Sequence, residues 1–344
     1  MAADRLTGRG DVQPESITGR LVAGHGLRPV EIAPIPTGTA TINFRVVDGD
    51  GRAWFVKVYR DPTRLDRDRA AIELSLFAGA GGVPVPRLLR TRDGGLISEG
   101  TPPLSVWEYV EQAETAEGGL TGRRWVSVGT LLGRLHRRLA EHPSLAPAPR
   151  PATGLVDLAR SRERHRRLIA GHGDRSDSFA AWARAAARVR LPLLDRVADL
   201  LAGLPPLTVQ VAHGDLAAPN LLLRGDAVAA LVDFQPPGPY HLTWEIARIG
   251  CDPRTVLRDD HWPAGLVELA LAYRAEHPDA RVEDLISSVA AGCCYTLAST
   301  YPLAAAVQGP VEESLQAYGR ARHEAALIML DRLDETETLL RDAL

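Results

Sequence analysis

Three oxygen-bearing side chains stand at the ends of two short apolar runs. Asp215 and Asn220 lie in His213-Gly214-Asp215-Leu216-Ala217-Ala218-Pro219-Asn220, directly before Leu221-Leu222-Leu223. Asp233 follows the second run, Val228-Ala229-Ala230-Leu231-Val232, and opens Asp233-Phe234-Gln235. The turn Arg224-Gly225-Asp226 between the runs predicts a hairpin. A hairpin brings its outer ends together, so the three side chains can converge at one edge. Phosphoryl transfer needs such a set: one carboxylate orients and deprotonates an alcohol, while a carboxylate and an amide oxygen hold Mg²⁺ on the phosphates. An ordinary hairpin with polar flanks accounts for any one of these residues, but less readily for the whole pattern H-G-D-x-x-x-x-N with D-F thirteen positions after the asparagine.

A second chemical signal is lysine usage. Among 40 lysines and arginines, Lys57 is the single lysine. An ammonium is a compact point charge that fits a phosphate pair where a planar guanidinium is too wide. Its flanks, Phe55-Val56-Lys57-Val58-Tyr59, read as a buried strand, which argues against a chance surface lysine. Asparagine is also rare, occurring only at Asn43 and Asn220.

The elements that must position these residues follow from turn signals and periodicity. Ile17 to Leu27 reads as a short helix. Ile32 to Val47 reads as strand, turn, strand, with Thr37-Gly38-Thr39-Ala40-Thr41 at the tip. That tip, with Thr39 at its centre, offers backbone N–H and hydroxyl donors to phosphates, although a plain turn fits equally well. Asp48-Gly49-Asp50-Gly51 marks a hairpin into Trp54 to Tyr59. Arg64 to Gly79 reads as a helix, and Leu96 to Ser98 with Leu104 to Val110 as a further hairpin. Thr121 to Ala140 carries Val126, Val128, Leu131, Leu132, Leu135 and Leu139 at helical spacing. Pro143 to Pro151 reads as a loop, and Leu155 to Ala170 and Ser178 to Leu204 as helices. Between those two lies a second His172-Gly173-Asp174, which lacks the asparagine and the following strand and reads as a turn. Residues 251–344 read as mainly helical, with 16 acidic and 8 basic side chains.

The catalytic-loop pattern resembles the aminoglycoside phosphotransferase family, the kinase-like antibiotic phosphotransferases, where H-G-D-x-x-x-x-N precedes I/V-D-F/W/L. Protein kinases carry H-R-D and D-F-G. Here Gly214 precedes the aspartate, Gln235 follows the phenylalanine, and no A-P-E signature appears. The resemblance implies an α+β, bilobal protein-kinase-like fold with an antiparallel-sheet N-lobe and a mainly helical C-lobe. It implies Asp215 as the catalytic carboxylate, Asn220 and Asp233 as Mg²⁺ ligands, and Lys57 on the α- and β-phosphates of ATP or GTP. Glu73 is the expected partner of Lys57, with Asp68 as competitor. Thr39 and Asn43 belong to a reduced phosphate loop. The Glu108 carbonyl and Val110 N–H would meet the nucleobase at the hinge. His136 matches a family helix motif and is expected to be structural. After Asp233 the family has G-D-P-x-x-D-L-A. In this chain His241 replaces the first of its aspartates and Glu245 the second, so the local wall of the acceptor site is in doubt.

The domains expected on this basis are a flexible arm over 1–20, a nucleotide-binding N-lobe over 21–110 and a linker over 111–119. The C-lobe follows over 120–344 and contains 213–220, 233–235 and the acceptor-binding helices. The net charge of −3 gives no drive toward nucleic acid or an anionic membrane. Three cysteines make no disulfide framework, and with no apolar leader the expected location is cytoplasmic. The uncharged stretch Leu285 to Val311 reads as a buried helix broken near Pro302 rather than a membrane span. The expected partners are a nucleoside triphosphate and a hydroxylated small molecule, with neither nucleic acid nor membrane. Three functions compete. The first is an antibiotic O-phosphotransferase acting on an aminoglycoside, nucleoside or macrolide. The second is a metabolic kinase of a sugar, choline or homoserine type. The third is a non-catalytic nucleotide binder, which the intact Lys57, Asp215, Asn220 and Asp233 disfavour. The acidic C-terminal balance suits a cationic acceptor, and solvated helix faces would produce the same count.

Overall fold

The computed structural model describes residues 14–36, 41–171 and 178–344. The chain divides into two compact units, Met1–Leu76 with Val85–Ala113, and Phe77–Pro84 with Glu114–Leu344. The division falls inside the segment read as a linker and assigns the turn after the first long helix to the second unit.

The first unit contains α1 (Pro14–His25), β1 (Pro29–Ile35), β2 (Thr41–Asp48), β3 (Ala53–Tyr59), α2 (Leu65–Ala80, whose last turn belongs to the second unit), β4 (Leu88–Leu89) and β5 (Leu104–Glu108). The strands form one antiparallel sheet in the order β1-β2-β3-β5-β4. The β2–β3 turn is built by Asp48. Its Oδ1 accepts from the Asp50 and Arg52 N–H groups at 2.9 Å, and its Oδ2 accepts from Trp54 Nε1 at 2.8 Å. Alternation along β3 buries Trp54, Val56 and Val58 against Ile17 and Leu21 of α1 and Phe44 and Val46 of β2. Lys57 therefore stands on the opposite face of the sheet.

The second unit opens with β6 (Glu114–Thr115) and α3 (Arg124–Ala140), followed by β7 (Ala148–Arg150), α4 (Leu158–Ala170), α5 (Ser178–Gly203) and β8 (Leu207–Val211). Next come the hairpin β9 (Leu221–Arg224) and β10 (Ala227–Leu231), then β11 (Pro239–His241), α6 (Leu242–Gly250) and α7 (Pro253–Val256). The chain ends in α8 (Trp262–Glu276), α9 (Val282–Ile286), α10 (Ser288–Ala298), α11 (Glu313–Asp331) and α12 (Leu333–Ala343). Two small antiparallel sheets, β10-β9-β6 and β11-β8-β7, flank the segment that carries Asp215. The second was not read from the sequence. Its strand β7 lies in the Pro-rich stretch expected to be a loop, because a three-residue edge strand has too few positions to show a period.

Helix α3 buries Trp125, Val128, Leu131, Leu132, Leu135 and Leu139. Val126, expected on that stripe, is instead 46% exposed. It lies two residues before Val128, about 200° around the helix, and Trp125 fills the stripe in its place. Helices α3 and α8 approach closely because Gly129 and Gly133 face the backbone carbonyls of Leu269 and Tyr273, which any Cβ would overlap. The uncharged stretch forms the buried helix α10, which ends at Ala298, four residues before Pro302. Among the described residues no helix is long and apolar enough to cross a membrane. The three cysteines are buried and unpaired.

Candidate active site

The β9–β10 hairpin pairs Leu221 with Leu231 at its open end. One residue further out, the Val232 N–H donates to the Asn220 carbonyl at 3.0 Å. Asn220 and Asp233 are thereby held beside one another. The 213–220 loop is zipped to the segment after β10 by two more bonds. Gln235 N–H donates to the His213 carbonyl at 2.9 Å, and His213 Nε2 donates to the Val232 carbonyl at 2.9 Å. Asp233 sits at φ +67°. That left-handed conformation is uncommon for a residue with a Cβ and recurs where a functional side chain must be aimed.

Inside the loop, Asn220 Nδ2 donates to the Asp215 carbonyl at 2.8 Å. This commits the amide nitrogen, so Oδ1 is the atom of the amide that could serve as a metal ligand. An amide oxygen next to an exposed carboxylate fits Mg²⁺, which takes one or two protein oxygens and completes its shell with phosphate and water. Among the described residues no group of three or more His, Cys, Asp or Glu side chains forms a metal cage.

Glu245 on α6 anchors the loop. Its Oε1 accepts from the Gly214 N–H at 2.6 Å, and its Oε2 accepts from the His213 N–H at 3.0 Å and from His136 Nε2 at 3.2 Å. Glu245 is 1% exposed and His136 fully buried. Burial alone would raise the Glu245 pKa. The hydrogen bond from His136 and the Gly214 N–H outweigh it and hold the carboxyl below its ordinary range. The other His136 nitrogen meets the Tyr273 hydroxyl at 3.0 Å, and the His136 carbonyl accepts from Gln210 Nε2 at 2.7 Å. His136 is therefore fully engaged in positioning. Burial pushes the His213 pKa down. Its neutral ring donates from Nε2 and accepts the Asp215 N–H at Nδ1, 3.2 Å away. Gly214 has φ +84°, and a Cβ there would lie 2.7 Å from the Gln235 Cβ and 2.9 Å from the Tyr240 ring. Only glycine fits between His213 and Asp215.

The Asp215 carboxylate is 39% exposed, and Arg248 Nη1 donates to its Oδ1 at 2.7 Å. Arg248 also lines a cavity of about 150 Å³ whose wall includes Ala217, Trp244, Tyr295, Tyr301 and Arg322. The sequence reading passed over Arg248 and Arg322. Both sit in ordinary helical context, in a chain where arginine is the default cation. Of the acidic side chains of residues 251–344, only Asp252 lines this cavity. Glu268, Glu312, Glu313, Glu324, Asp331, Asp334, Glu335 and Asp342 are exposed on helix surfaces, and Asp284 is spent internally on the Thr208 N–H and the Thr243 hydroxyl.

The remaining candidates lie in the first unit. Lys57 on β3 is paired across the sheet with Asn43 of β2 and with Ser105 of β5. Asn43 is buried, and its Oδ1 accepts from the Thr41 hydroxyl at 2.8 Å. Glu73 is exposed on α2. Glu108 ends β5; its side chain pairs with Arg87 at 3.5 Å, and its N–H donates to the Arg87 carbonyl at 2.8 Å. Val110 follows the strand, half-buried. Thr39 lies outside the described residues, as does the second His-Gly-Asp.

The profile described as "Phosphotransferase enzyme family" matches residues 31–283, from β1 to α9. The chain belongs to this phosphotransferase enzyme family. Homoserine kinase of Pseudomonas aeruginosa is 32% identical over 170 residues, which is 47% of this chain and 46% of that protein. The chain thus spans about half the length of the curated relatives it matches. Among solved structures, spectinomycin phosphotransferase in complex with ADP and spectinomycin superposes with a TM-score of 0.65 at 14% identity, over 93% of this chain and 99% of that one. An amicoumacin kinase in complex with AMP-PNP and Ca²⁺ superposes with a TM-score of 0.61 at 14% identity, over 91% and 93%. At these identities the likeness is one of fold. This family member has the α+β, bilobal kinase-like fold.

Proposed function

We propose that the protein transfers the γ-phosphoryl group of a nucleoside triphosphate to a hydroxyl of a small molecule. The observation that carries this reading is the anchored loop. Glu245 holds the His213 and Gly214 backbone directly before Asp215, and Asn220 holds the Asp215 carbonyl, while the Asp215 carboxylate stays partly exposed against Arg248, which lines a cavity.

In the reaction the acceptor oxygen bonds to the γ-phosphorus, the bond from that phosphorus to the β-bridging oxygen breaks, and the nucleoside diphosphate leaves. Asp215 aligns the hydroxyl and takes its proton. Asn220 Oδ1 and Asp233 are the proposed Mg²⁺ ligands, and a bound Mg²⁺ would neutralise charge on the β- and γ-phosphate oxygens. Lys57 is the proposed α- and β-phosphate cation with Glu73 as its partner. Thr39 and Asn43 are proposed for the phosphate loop, and Glu108 and Val110 for the nucleobase. Positioning and charge neutralisation supply most of the acceleration in this chemistry. The donor is ATP or GTP. Buried unpaired thiols suit a reducing compartment, so the proposed location is the cytoplasm.

Two acceptor classes are carried by different observations. The partial likeness to homoserine kinase supports a compact hydroxylated metabolite. The second reading is a hydroxylated antibiotic, with resistance by O-phosphorylation. It is supported by likeness over nine-tenths of the chain to enzymes solved with spectinomycin and with an amicoumacin-type ligand.

The test is nucleoside diphosphate release with ATP and with GTP, across antibiotics and small alcohols, in the wild type and Asp215→Ala. Loss of turnover in Asp215→Ala with nucleotide affinity retained is the expected result. Equal turnover in that variant overturns the assignment.

A further inference from the structure

The cavity beside Asp215 has an unusual charge character. Arg322 lines it, is 7% exposed, and donates from Nη1 to the Tyr301 carbonyl at 3.0 Å. Its guanidinium carbon also lies 5.8 Å from the Tyr301 ring and 6.0 Å from the Tyr318 ring. Among the described residues no carboxylate lies within ion-pair distance of it. The one acid in the cavity wall, Asp252, contacts Arg254 rather than Arg322: its Oδ1 accepts from the Arg254 N–H at 2.9 Å, its Oδ2 lies 3.7 Å from Arg254 Nη1, and it interacts with Arg322 only through longer-range charge. Arg248, the second cation of the wall, is already paired with Asp215 and links the cavity to that carboxylate. Behind the wall a third guanidinium, Arg190, is completely buried. It donates to the carbonyls of Thr296 and Ser299, at 3.1 and 3.0 Å, and so removes two acceptors from the lining. Of the two arginines in the wall, Arg322 is therefore the one with no carboxylate in ion-pair contact among the described residues.

A nearly buried guanidinium without a counter-ion is costly to keep. The cost is relieved when a ligand brings the negative charge, and the planar fork of arginine matches a carboxylate through two parallel hydrogen bonds. A space of about 150 Å³ holds a molecule near the size of benzene. We propose that this cavity is the acceptor site and that the acceptor carries a carboxylate held by Arg322, with its hydroxyl presented to Asp215. The acceptor class is then a small hydroxy acid or hydroxy amino acid. This proposal rests on the kinase reading above and narrows it.

The experiment uses matched pairs: hydroxy acids and hydroxy amino acids of about five to nine heavy atoms, each with its primary amide, alongside neutral and cationic alcohols. Nucleoside diphosphate release is measured with Mg²⁺ and ATP or GTP, and binding of each pair is measured by calorimetry. The expected result is a KM for at least one acid about 10- to 100-fold below that of its amide, the range a charge-assisted hydrogen bond provides. Arg322→Gln should erase this preference mainly through KM, and Arg322→Lys should restore part of it. Nucleotide binding and near-ultraviolet circular dichroism establish that each variant is folded. If Arg322→Gln does not fold, Arg322→Lys and protection of Arg322 from phenylglyoxal by the acid decide. Turnover of neutral or cationic acceptors with no acid preference overturns the carboxylate proposal and leaves the kinase reading standing. Acid-selective binding without turnover of any acceptor keeps the carboxylate site and overturns the kinase reading. Neither turnover nor acid-selective binding overturns both.

Discussion

Arg248 Nη1 lies 2.7 Å from Asp215 Oδ1 and pairs with the carboxylate from a different element of the fold. The two residues are 33 positions apart, one in the loop before β9 and the other on α6. Both are partly exposed, so the pair adds little to stability, about 0–1 kcal/mol. Its consequence is orientation of the carboxylate that would receive the acceptor hydroxyl.

Removing Arg248 should therefore separate activity from stability. Arg248→Ala should change unfolding free energy by less than about 1 kcal/mol. It should lower kcat/KM by about tenfold or more, since misplacing a reacting group by an ångström costs on that order. Denaturant titration and steady-state kinetics on the same preparation check this. A kcat/KM within twofold of wild type would dismiss the orienting role.

Glu245 behaves oppositely. Its two oxygens serve the His213 and Gly214 N–H groups and His136 Nε2. Glutamine keeps the shape but presents an NH₂ group to a donor, which should cost about 1–3 kcal/mol. Alanine strands all three donors and should cost about 3–5 kcal/mol. Chemical denaturation ranks the variants, and the expected order is wild type, Glu245→Gln, Glu245→Ala. Turnover should fall in the same order, because Asp215 is carried by the loop that Glu245 holds.

Gly214→Ala tests the space between His213 and Asp215. The left-handed backbone costs a residue with a Cβ about 1–2 kcal/mol. Contact with Gln235 and Tyr240 adds about 1–3 kcal/mol of crowding. The expected variant is folded but destabilised, with kcat reduced well beyond what loss of folded protein explains. Thermal melts and kcat per folded molecule distinguish the two effects.

Stability should fall on acidification below pH 6.5. His213 and His165 are fully buried, and burial lowers both pKa values from 6.5. The unfolded chain then binds protons that the native state refuses. The stability from these neutral rings is complete above the unfolded pKa and is lost as pH falls toward the folded values. Each ring contributes up to about 1.4 kcal/mol per pH unit in that window. His323, pushed down to about 4 by burial and the Arg190 charge, extends the effect to lower pH. The melting temperature followed from pH 7.5 to 5 checks the sign; a flat profile would contradict it.

Much of the candidate site was legible along the chain because it is local. The β9–β10 hairpin, the asparagine before it and the aspartate after it are set by two apolar runs and a Gly-Asp turn, and the structure holds Asn220 and Asp233 side by side as that pattern requires. Lys57 stood out through composition and strand context together. Glu245 was half legible: its position matched a family motif, but nothing in the sequence said that it would accept from two backbone N–H groups and a histidine 109 residues away. The small β11-β8-β7 sheet escaped because its strands are short and far apart.

The sequence by itself determined the longer helices, the N-terminal strands and the β9–β10 hairpin, the order of the loop residues and the family, since these depend on neighbours a few positions apart. Tertiary structure alone decided that Arg248 meets Asp215, that Glu245 anchors the loop, and that Arg322 lies nearly buried in a cavity without a carboxylate partner among the described residues. One lysine among 40 cationic residues is conspicuous in composition, whereas one arginine among many becomes distinctive only when folding takes it out of water and leaves no carboxylate in contact with it.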